Sequence, residues 1–425
     1  MKQILQLLLK YSSKLILAKY KPDVIGITGS VGKTSAKEAI AAVLSYRFKI
    51  RANSKNYNNE IGLPLTIIGA ESAGKSLFGW LLVFLKILNL LIFKSNNYPE
   101  ILILEMGVDR PGDMDYLNSI VKPKVGIITL IGSSHMEFFK SQEEIMKEKK
   151  KIFNNLQPGG WAILNYDDNF TSNIRESIKH KVLTFGFDEN ADLTAQNIIC
   201  SFQQSDNINS LAGINFKLKY EGAYIPILLP RVISYASIYA AIAGAAAGFI
   251  YKMNGIEIAD SLKQFNLPKG RMNLIKGINN SMIIDDTYNS SPQSSIAALE
   301  IIDQINLDII KTKYIVMGDM LELGKDSEAE HIKIGKKIAS IPKAKLLVIG
   351  SEAKNIAKGA KQMNDIKIFD NQKELIKYLQ DNIKAGDLIL IKASQGMRLE
   401  KIVKSIMAEP EKAKDLLVRQ DKGWL

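Results

Sequence analysis

The chain has 425 residues, of which 46% are hydrophobic and 24% charged, and a formal net charge of +12. This is ordinary globular composition. It excludes a disordered, collagenous or coiled-coil chain, and the length points to two or three domains. One cysteine (Cys200) and three histidines (His135, His180, His331) exclude an internal disulfide framework, a Cys-based zinc site and a His-rich metal cluster. The basic balance favours anionic partners: nucleotides, phosphorylated sugars, nucleic acid or an acidic membrane face.

Residues 1–20 read as one helix, apolar at Ile4, Leu5, Leu8, Leu9, Leu15 and Ile16, with Gln3, Gln6, Lys10, Ser13 and Lys14 as its polar stripe. Lys10 and Lys14 interrupt the apolar run, which argues against a cleaved signal peptide. Asp23–Thr28 is a buried strand that enters a glycine-bearing turn and a helix from Lys33 to Tyr46. Leu77–Phe93 is a 17-residue apolar stretch interrupted by Lys86 and Asn89, short of the about 20 apolar residues that a spanning helix needs. It has two readings: a helix buried against the first one, or a pair of helices lying in the inner membrane surface, with Trp80 as an interfacial anchor. Strands follow at Glu100–Glu105, Val125–Thr129 and Trp161–Asn165, and Ile233–Tyr251 is a tightly packed Ala/Gly-rich helix. A boundary falls near Leu267–Gly270, after which the pattern restarts. Strands are predicted at Ser281–Asp285, Lys313–Met317, Ala344–Ile349 and Leu388–Ile391, with helices between them that include Ser291–Gln304 and Glu328–Ser340. Strands alternating with helices imply mostly parallel sheets covered on both faces. The predicted organisation is an amphipathic helix over 1–22 and a central P-loop-type ATPase domain over 23–270. That domain carries an apolar helical insertion at 76–94. A C-terminal Rossmann-like α/β domain covers 271–425.

Ile27–Ser35 reads ITGSVGKTS between a strand and a helix. Gly29 and Gly32 let backbone N–H groups approach phosphate oxygens at a helix N-terminus, flanked by Ser30 and Ser35. Lys33 would reach the outer phosphates and Thr34 would hold Mg²⁺. The spacing departs from G-x-x-x-x-G-K-[ST], because Ile27 occupies the first glycine position. Glu105 ends the next strand, where its carboxylate can take Mg²⁺ directly or through water. His135 follows the third strand on the same rim, where α/β sheets bind ligands.

These residues resemble the Mur ligase family, and within it the MurF type most closely. The resemblance runs from about Val24 to Met407 through ITGSVGKTS, NYNNEIGLPLT (Asn56–Thr66), LEMGVDRPGDM (Leu104–Met114), HMEFFKSQEEIMKEKKKIF (His135–Phe153), PKGRMN (Pro268–Asn273), IIDDTYNSSP (Ile283–Pro292) and VMGDMLELG (Val316–Gly324). It implies an ATP-dependent amide ligase of peptidoglycan precursor synthesis that joins D-alanyl-D-alanine to a muramoyl tripeptide through an acyl phosphate. It also implies ATP, two Mg²⁺ ions and a lysine carbamylated by CO₂. On this resemblance Glu105 and His135 are magnesium ligands, and Lys149 is the carbamylated lysine and the second metal's ligand; the alternative for Lys149 is a solvated basic face shared with Lys147, Lys150 and Lys151. Arg271 corresponds to the arginine that reaches ATP, Asn289 to a residue contacting adenine, and Asp319 to one contacting ribose. Asn58 and Asn59 correspond to residues lining the muramoyl side, with an Asn-rich turn as the alternative. His331 fits the pattern without a chemical role.

Two departures follow. Only about 22 residues precede the ATP-binding strand, so the family's uridine-binding module is expected to be missing or replaced. The family's Lys-Gly-Ser-Arg run, expected to meet the incoming substrate, reads Lys392-Ala393-Ser394-Gln395, with Arg398 as the replacement cation. The C-terminal domain is expected to close on the nucleotide about a hinge near Pro268–Gly270. The resemblance implies a cytoplasmic monomer, and the apolar helices add peripheral contact with the inner membrane. Basic residues are dispersed and no stacking platform accompanies them, which argues against nucleic acid. Two other readings stay open. One is a superfamily ligase acting on a different or lipid-linked acceptor, or a folylpolyglutamate-type enzyme. The other is a non-catalytic nucleotide-binding subunit.

Overall fold

The computed structural model describes residues 2–53, 57–132, 138–205, 208–230, 232–305 and 310–420. They fall into two compact units. The first comprises Met1–Ile198, Asn215–Leu229 and Ala236–Phe265; the second comprises Ile199–Ile214, Pro230–Tyr235 and Asn266–Leu425.

In chain order the elements begin with α1 (Lys2–Tyr20), β1 (Asp23–Thr28), α2 (Lys33–Leu44), β2 (Ile50–Ala52), α3 (Gly62–Ile68), α4 (Leu77–Ile92) and β3 (Ile101–Glu105). Next come α5 (Asp113–Asn118), β4 (Val125–Ile128), α6 (Gln142–Asn154), β5 (Trp161–Asn165), α7 (Asn169–Ser172) and β6 (Lys181–Gly186). β7 (Leu193–Ser205), β8 (Ile208–Tyr220), β9 (Ala223–Pro230), α8 (Tyr235–Ile250) and α9 (Gly255–Leu262) follow. The sheet order is β2-β3-β1-β4-β5-β6-β7-β8-β9. β1 pairs in parallel with β3, placing Ile27 opposite Glu105, and with β4, placing Thr28 opposite Ile128. β3 and β4 are buried along their whole length, as continuous apolar runs in a parallel sheet should be. The loop after β1 therefore stands beside the last residue of β3, at the carboxyl edge where open α/β sheets take ligands.

β6 to β9 were not read from the sequence. β6 is buried only over its last four residues and β9 is patchily exposed, so neither is a strand buried from end to end. The turn between β8 and β9 has Glu221 at φ +48° and Gly222 at φ +80°, the pair of positive φ values of a primed hairpin turn.

α4 forms where the apolar run predicts it, but it is buried on one narrow side. Val83 and Ile87 pack into the core, whereas Phe78, Leu81, Leu82, Leu85, Leu88 and Ile92 are exposed. α1 fastens its end. Lys19 Nζ donates to the carbonyls of Leu90, Leu91 and Phe93, each at 2.9 Å, and Tyr20 Oη donates to those of Leu90 and Phe93. These are the carbonyls that a helix terminus leaves unpaired. Among the described residues, no helix is long and apolar enough to cross a membrane.

The second unit contains β10 (Asn273–Lys276), β11 (Met282–Asp286), α10 (Pro292–Gln304), β12 (Lys313–Met317), α11 (Ser327–Ala339) and β13 (Ala344–Ile349). It continues with α12 (Lys354–Gly359), β14 (Ile366–Phe369), α13 (Gln372–Asn382), β15 (Leu388–Lys392), α14 (Glu400–Ile406) and α15 (Ala413–Leu416). The sheet order is β10-β11-β15-β12-β13-β14. β10 is antiparallel to β11, and the other pairs are parallel. Strand alternation divides the core. Ile284, Ile315, Leu346 and Leu390 pack with Leu299 and Ile334 on one face. Ile283, Val316, Leu347 and Ile389 pack with Leu379 and Ile402 on the other. This is the doubly covered α/β arrangement predicted for both halves.

Candidate functional site

The first unit presents a phosphate-binding cradle. Gly29 has φ +148°, and a Cβ there would stand 2.1 Å from Thr129 Oγ1 at the end of β4, so the close approach admits only glycine. Gly32, at φ +86°, precedes α2 and offers it no side-chain cap. The leading N–H groups of the helix are thus left to receive an anion. The loop is held from the β4 side: Ser30 N donates to Leu130 O at 2.7 Å, Ser30 Oγ to Gly132 O at 3.2 Å, and Thr129 Oγ1 to Val31 O at 2.6 Å. Lys33 Nζ lies within the cradle, 2.7 Å from Gly29 O and 3.4 Å from Ser30 O. Thr34 Oγ1 donates to Glu105 Oε2 at 3.1 Å. Ser35 follows half-buried in the first turn of α2.

Glu105 is buried, and two asparagines orient it. Asn58 Nδ2 donates to Oε1 at 3.3 Å. Asn53, which the sequence reading missed, exchanges hydrogen bonds with the Glu105 backbone: Glu105 N donates to Asn53 Oδ1 at 2.8 Å, and Asn53 Nδ2 donates to Glu105 O at 3.3 Å. Lys37 Nζ in turn donates to Asn53 O at 2.7 Å. Nothing in the pattern of residues around Asn53 marks this role, because it arises from β2 pairing with β3. Asn59 Oδ1 accepts from Ile61 N and Gly62 N, so its local work is the turn into α3. Asn58 and Asn59 nevertheless line a cavity of about 510 Å³ with Gln6, Asp109, Arg110 and Tyr116.

On α6 the lysine run left the register open, and burial decides it. Among Lys147, Lys149, Lys150 and Lys151, only Lys149 is buried. Lys151 instead pairs with Glu148 at 2.7 Å and Asp115 at 2.6 Å. Lys149 Nζ makes a long hydrogen bond, 3.5 Å, to Val108 O. Burial, and then the positive charge of Lys33, push its ammonium down to about 7, against the opposing pull of Asp109, Glu148 and Asp113. His135 lies outside the described residues. Among the described residues no three His, Cys, Asp or Glu side chains converge as a metal cluster; the oxygen groups that meet at the cradle are those of Thr34 and Glu105.

In the second unit the predicted residues gather at the carboxyl edge of its sheet. Asn289 follows β11, Asp319 follows β12, Lys392 ends β15 and Ser394 follows it. Arg271 is exposed, with its guanidinium 4.4 Å from the Tyr288 ring centre. Asn289 Oδ1 accepts from Gln395 N at 3.4 Å. Asp319 Oδ1 accepts from Ala353 N at 2.7 Å. Ser394 Oγ donates to Ser290 O at 3.2 Å and accepts from Leu321 N at 2.8 Å. Lys392 is buried, with Nζ 2.6 Å from Asp286 Oδ2 and 3.0 Å from Asn289 O; its ammonium braces the β11 loop. His331 is fully buried. Its Nε2 accepts from Met320 N at 3.0 Å and its Nδ1 faces Ser327 O at 2.7 Å, which makes it a brace for the loop after β12.

A second cation joins Arg398 near Gln395, from a place the sequence did not mark. Arg398 Nε pairs with the buried Glu400 at 2.5 Å, and Arg419 Nε lies 3.4 Å from the same carboxylate oxygen. Arg419, from the last described turn, donates through Nη1 to Gln395 O at 3.0 Å and through Nη2 to Thr287 O at 2.6 Å. It lies outside the recognised runs, and only the fold brings it there.

Asp285 is fully buried. Its Oδ1 accepts from Thr287 N at 3.1 Å and Oγ1 at 2.6 Å. Burial raises its carboxyl to about 7, helped by Asp286 and Glu400 and opposed by the Thr287 hydrogen bonds. A raised folded pKa gives stability that is full below the unfolded value near 4 and is lost as pH climbs toward 7. Urea midpoints of the wild type should therefore fall relative to those of Asp285→Asn across that window, and the gap should stop widening above pH 7. Parallel curves would overturn this assignment.

Residues 27–78 and 85–225 match the Mur ligase middle domain, and residues 270–395 match the Mur ligase, glutamate ligase domain. The UDP-N-acetylmuramoyl-tripeptide–D-alanyl-D-alanine ligase of Bacillus subtilis (strain 168) is 31% identical over 405 residues, covering 95% of this chain and 79% of that protein. The enzyme of the same name from Escherichia coli (strain K12) is 28% identical over 389 residues, covering 90% and 76%. A crystal structure of MurF from Acinetobacter baumannii has a TM-score of 0.76 at 27% identity, covering 94% of this chain and 79% of that one. MurF ligase from Thermotoga maritima, in complex with ADP, has a TM-score of 0.71 at 25% identity, covering 96% and 84%.

Proposed function

The chain belongs to the Mur ligase family, and from that premise we propose that it is an ATP-dependent ligase that adds D-alanyl-D-alanine to a muramoyl tripeptide of peptidoglycan precursor synthesis. The observation that supports this most is the Thr34–Glu105 contact at the mouth of the phosphate cradle, 3.1 Å long, with Asn58 joining Glu105 to the adjoining cavity.

The chemistry follows from charge. A substrate carboxylate oxygen attacks the γ-phosphorus of ATP, and ADP leaves. The amine of the second substrate attacks the resulting acyl phosphate, and phosphate leaves with the amide formed. Two anions must meet in the first step, so the protein's work is positioning and neutralisation. The α2 N-terminus and Lys33 would hold the phosphates. Asn58 and Asn59 face the cavity offered to the muramoyl substrate. Arg271, Asn289 and Asp319 are the second unit's contribution to nucleotide binding in this reading, and Ser394 and Lys392 shape the edge from which the incoming dipeptide is approached.

The donors present fit magnesium. A hydroxyl and a carboxylate, both hard oxygen ligands, leave the remaining positions for phosphate oxygens and water. Thr34 and Glu105 would hold the ion, with His135 and a carbamylated Lys149 completing a two-ion site; Mg²⁺ supplies neutralisation of the phosphate charge. Lys149 suits carbamylation because its buried amine is readily neutral and can add to CO₂, releasing a proton and leaving an anion. The reading also includes a cytoplasmic monomer in peripheral contact with the inner membrane surface.

The test is phosphate release from ATP and Mg²⁺ with UDP-muramoyl-tripeptide and D-alanyl-D-alanine, with product mass read in the same tubes. A mass gain of one dipeptide that depends on both substrates is expected. ATP binding without turnover on any acceptor would overturn the reading.

A further inference from the structure

α1 and α4 lie against each other, and each leaves an apolar face uncovered. On α1, Ile4, Leu7, Tyr11 and Leu15 are each more than half exposed; on α4 the same holds for Leu81, Leu85, Leu88 and Ile92. Both sets recur at spacings of three and four, so each is a single helix face. Scattered exposed leucines need no explanation, but two adjoining apolar faces do.

Charge on the two helices themselves is of one sign, and the acids nearest α1, Glu60, Asp109 and Asp113, line the cavity at Gln6. Neither helix contains Asp or Glu, and Glu71 is the sole acid from Ile61 to Pro99. Exposed Lys75 and Lys94 flank the two ends of α4, and exposed Lys14 lies on the open side of α1. Of the other nearby lysines, Lys86 reaches Gly69 O, Lys19 caps α4 and Lys10 lies over the Tyr116 ring. Lys86 and Asn89 are the exposed polar residues of α4. At 16 residues α4 is about 24 Å long, short of a hydrocarbon core of about 30 Å. It can lie in an interface and cannot cross it.

We propose that the faces of α1 and α4 form a docking surface for an anionic lipid bilayer, with the leucines seated at the headgroup–acyl boundary and Lys14, Lys75 and Lys94 against acidic headgroups. This gives the peripheral contact named above its surface and lipid chemistry, and it does not depend on the ligase reading. Gln6, on the same α1, lines the 510 Å³ cavity, so docking sets that cavity beside the headgroups.

The test is co-sedimentation of the full chain with vesicles of phosphatidylcholine alone or mixed with phosphatidylglycerol. Binding to the mixed vesicles is expected, weakened about tenfold on neutral vesicles or at ~0.5 M salt. Leu81→Gln/Leu85→Gln/Leu88→Gln should lower it at least about tenfold with melting unchanged. Lys14→Gln/Lys75→Gln/Lys94→Gln should remove the preference for anionic lipid while leaving the apolar faces intact. Sedimentation needs no turnover, so it reads out separately from any failure of the ligase assay. Absence of binding, equal binding to neutral vesicles, or unaltered binding by both variants would overturn the proposal. A dimer in light scattering that the leucine variant makes monomeric would assign the surface to a second copy instead.

Discussion

Lys33→Ala should lower turnover by about 10³-fold while leaving the fold intact. The side chain sits in the cradle after β1, 2.7 Å from Gly29 O. Removing one preorganised cation or donor from developing charge costs on the order of 10²–10³ in rate, and charge stabilisation is nearly all that a phosphoryl-transfer site supplies. The structural cost should be small, because Lys33 is only half-buried and its hydrogen bonds named above are to carbonyls of its own loop. The measurement pairs kcat from phosphate release with a thermal melt. A rate loss under tenfold at an unchanged melt would remove Lys33 from the chemistry.

Lys392→Met should act on stability instead, lowering it by about 3–5 kcal/mol, because removing one partner leaves the other charge buried and uncompensated. Lys392 and Asp286 meet at 2.6 Å with side chains 1% and 12% exposed. Asp286 also accepts from Met272 N through Oδ1 at 3.2 Å, and Lys392 holds Asn289 O. Losing the ammonium therefore also loosens the loop that carries Asn289. Asp286→Asn/Lys392→Met should recover part of the loss, since the stranded charge is gone, and the difference from the summed single variants measures the coupling. An unfolding free energy from urea titration within about 0.5 kcal/mol of the wild type would show that the pair carries little.

Some of this was open to reading along the chain. The strand–turn–helix of ITGSVGKTS needs only local residues: a buried run, glycines where backbone must approach an anion, then a helix whose first turn bears Lys33 and Thr34. The parallel strands ending at Glu105 and Lys392 were visible because burial on both faces demands continuous apolar residues. β6 and β9 were missed for the converse reason, since strands exposed along part of their length dilute that pattern.

The chain by itself determined the α/β class, the phosphate cradle and the family, because these rest on local runs and their order. Tertiary structure decided what depends on distant neighbours. Packing of α6 buried Lys149 rather than the lysines beside it, and pairing of β2 with β3 set Asn53 against Glu105. The fold also brought Arg419 to Gln395, beside Arg398. The apolar run at Leu77–Phe93 shows the same division. Its composition specifies a helix, but only the position of that helix against α1 and α3 shows which side is covered. Burial is a property of neighbours, and neighbours far apart in the chain leave no local mark on it.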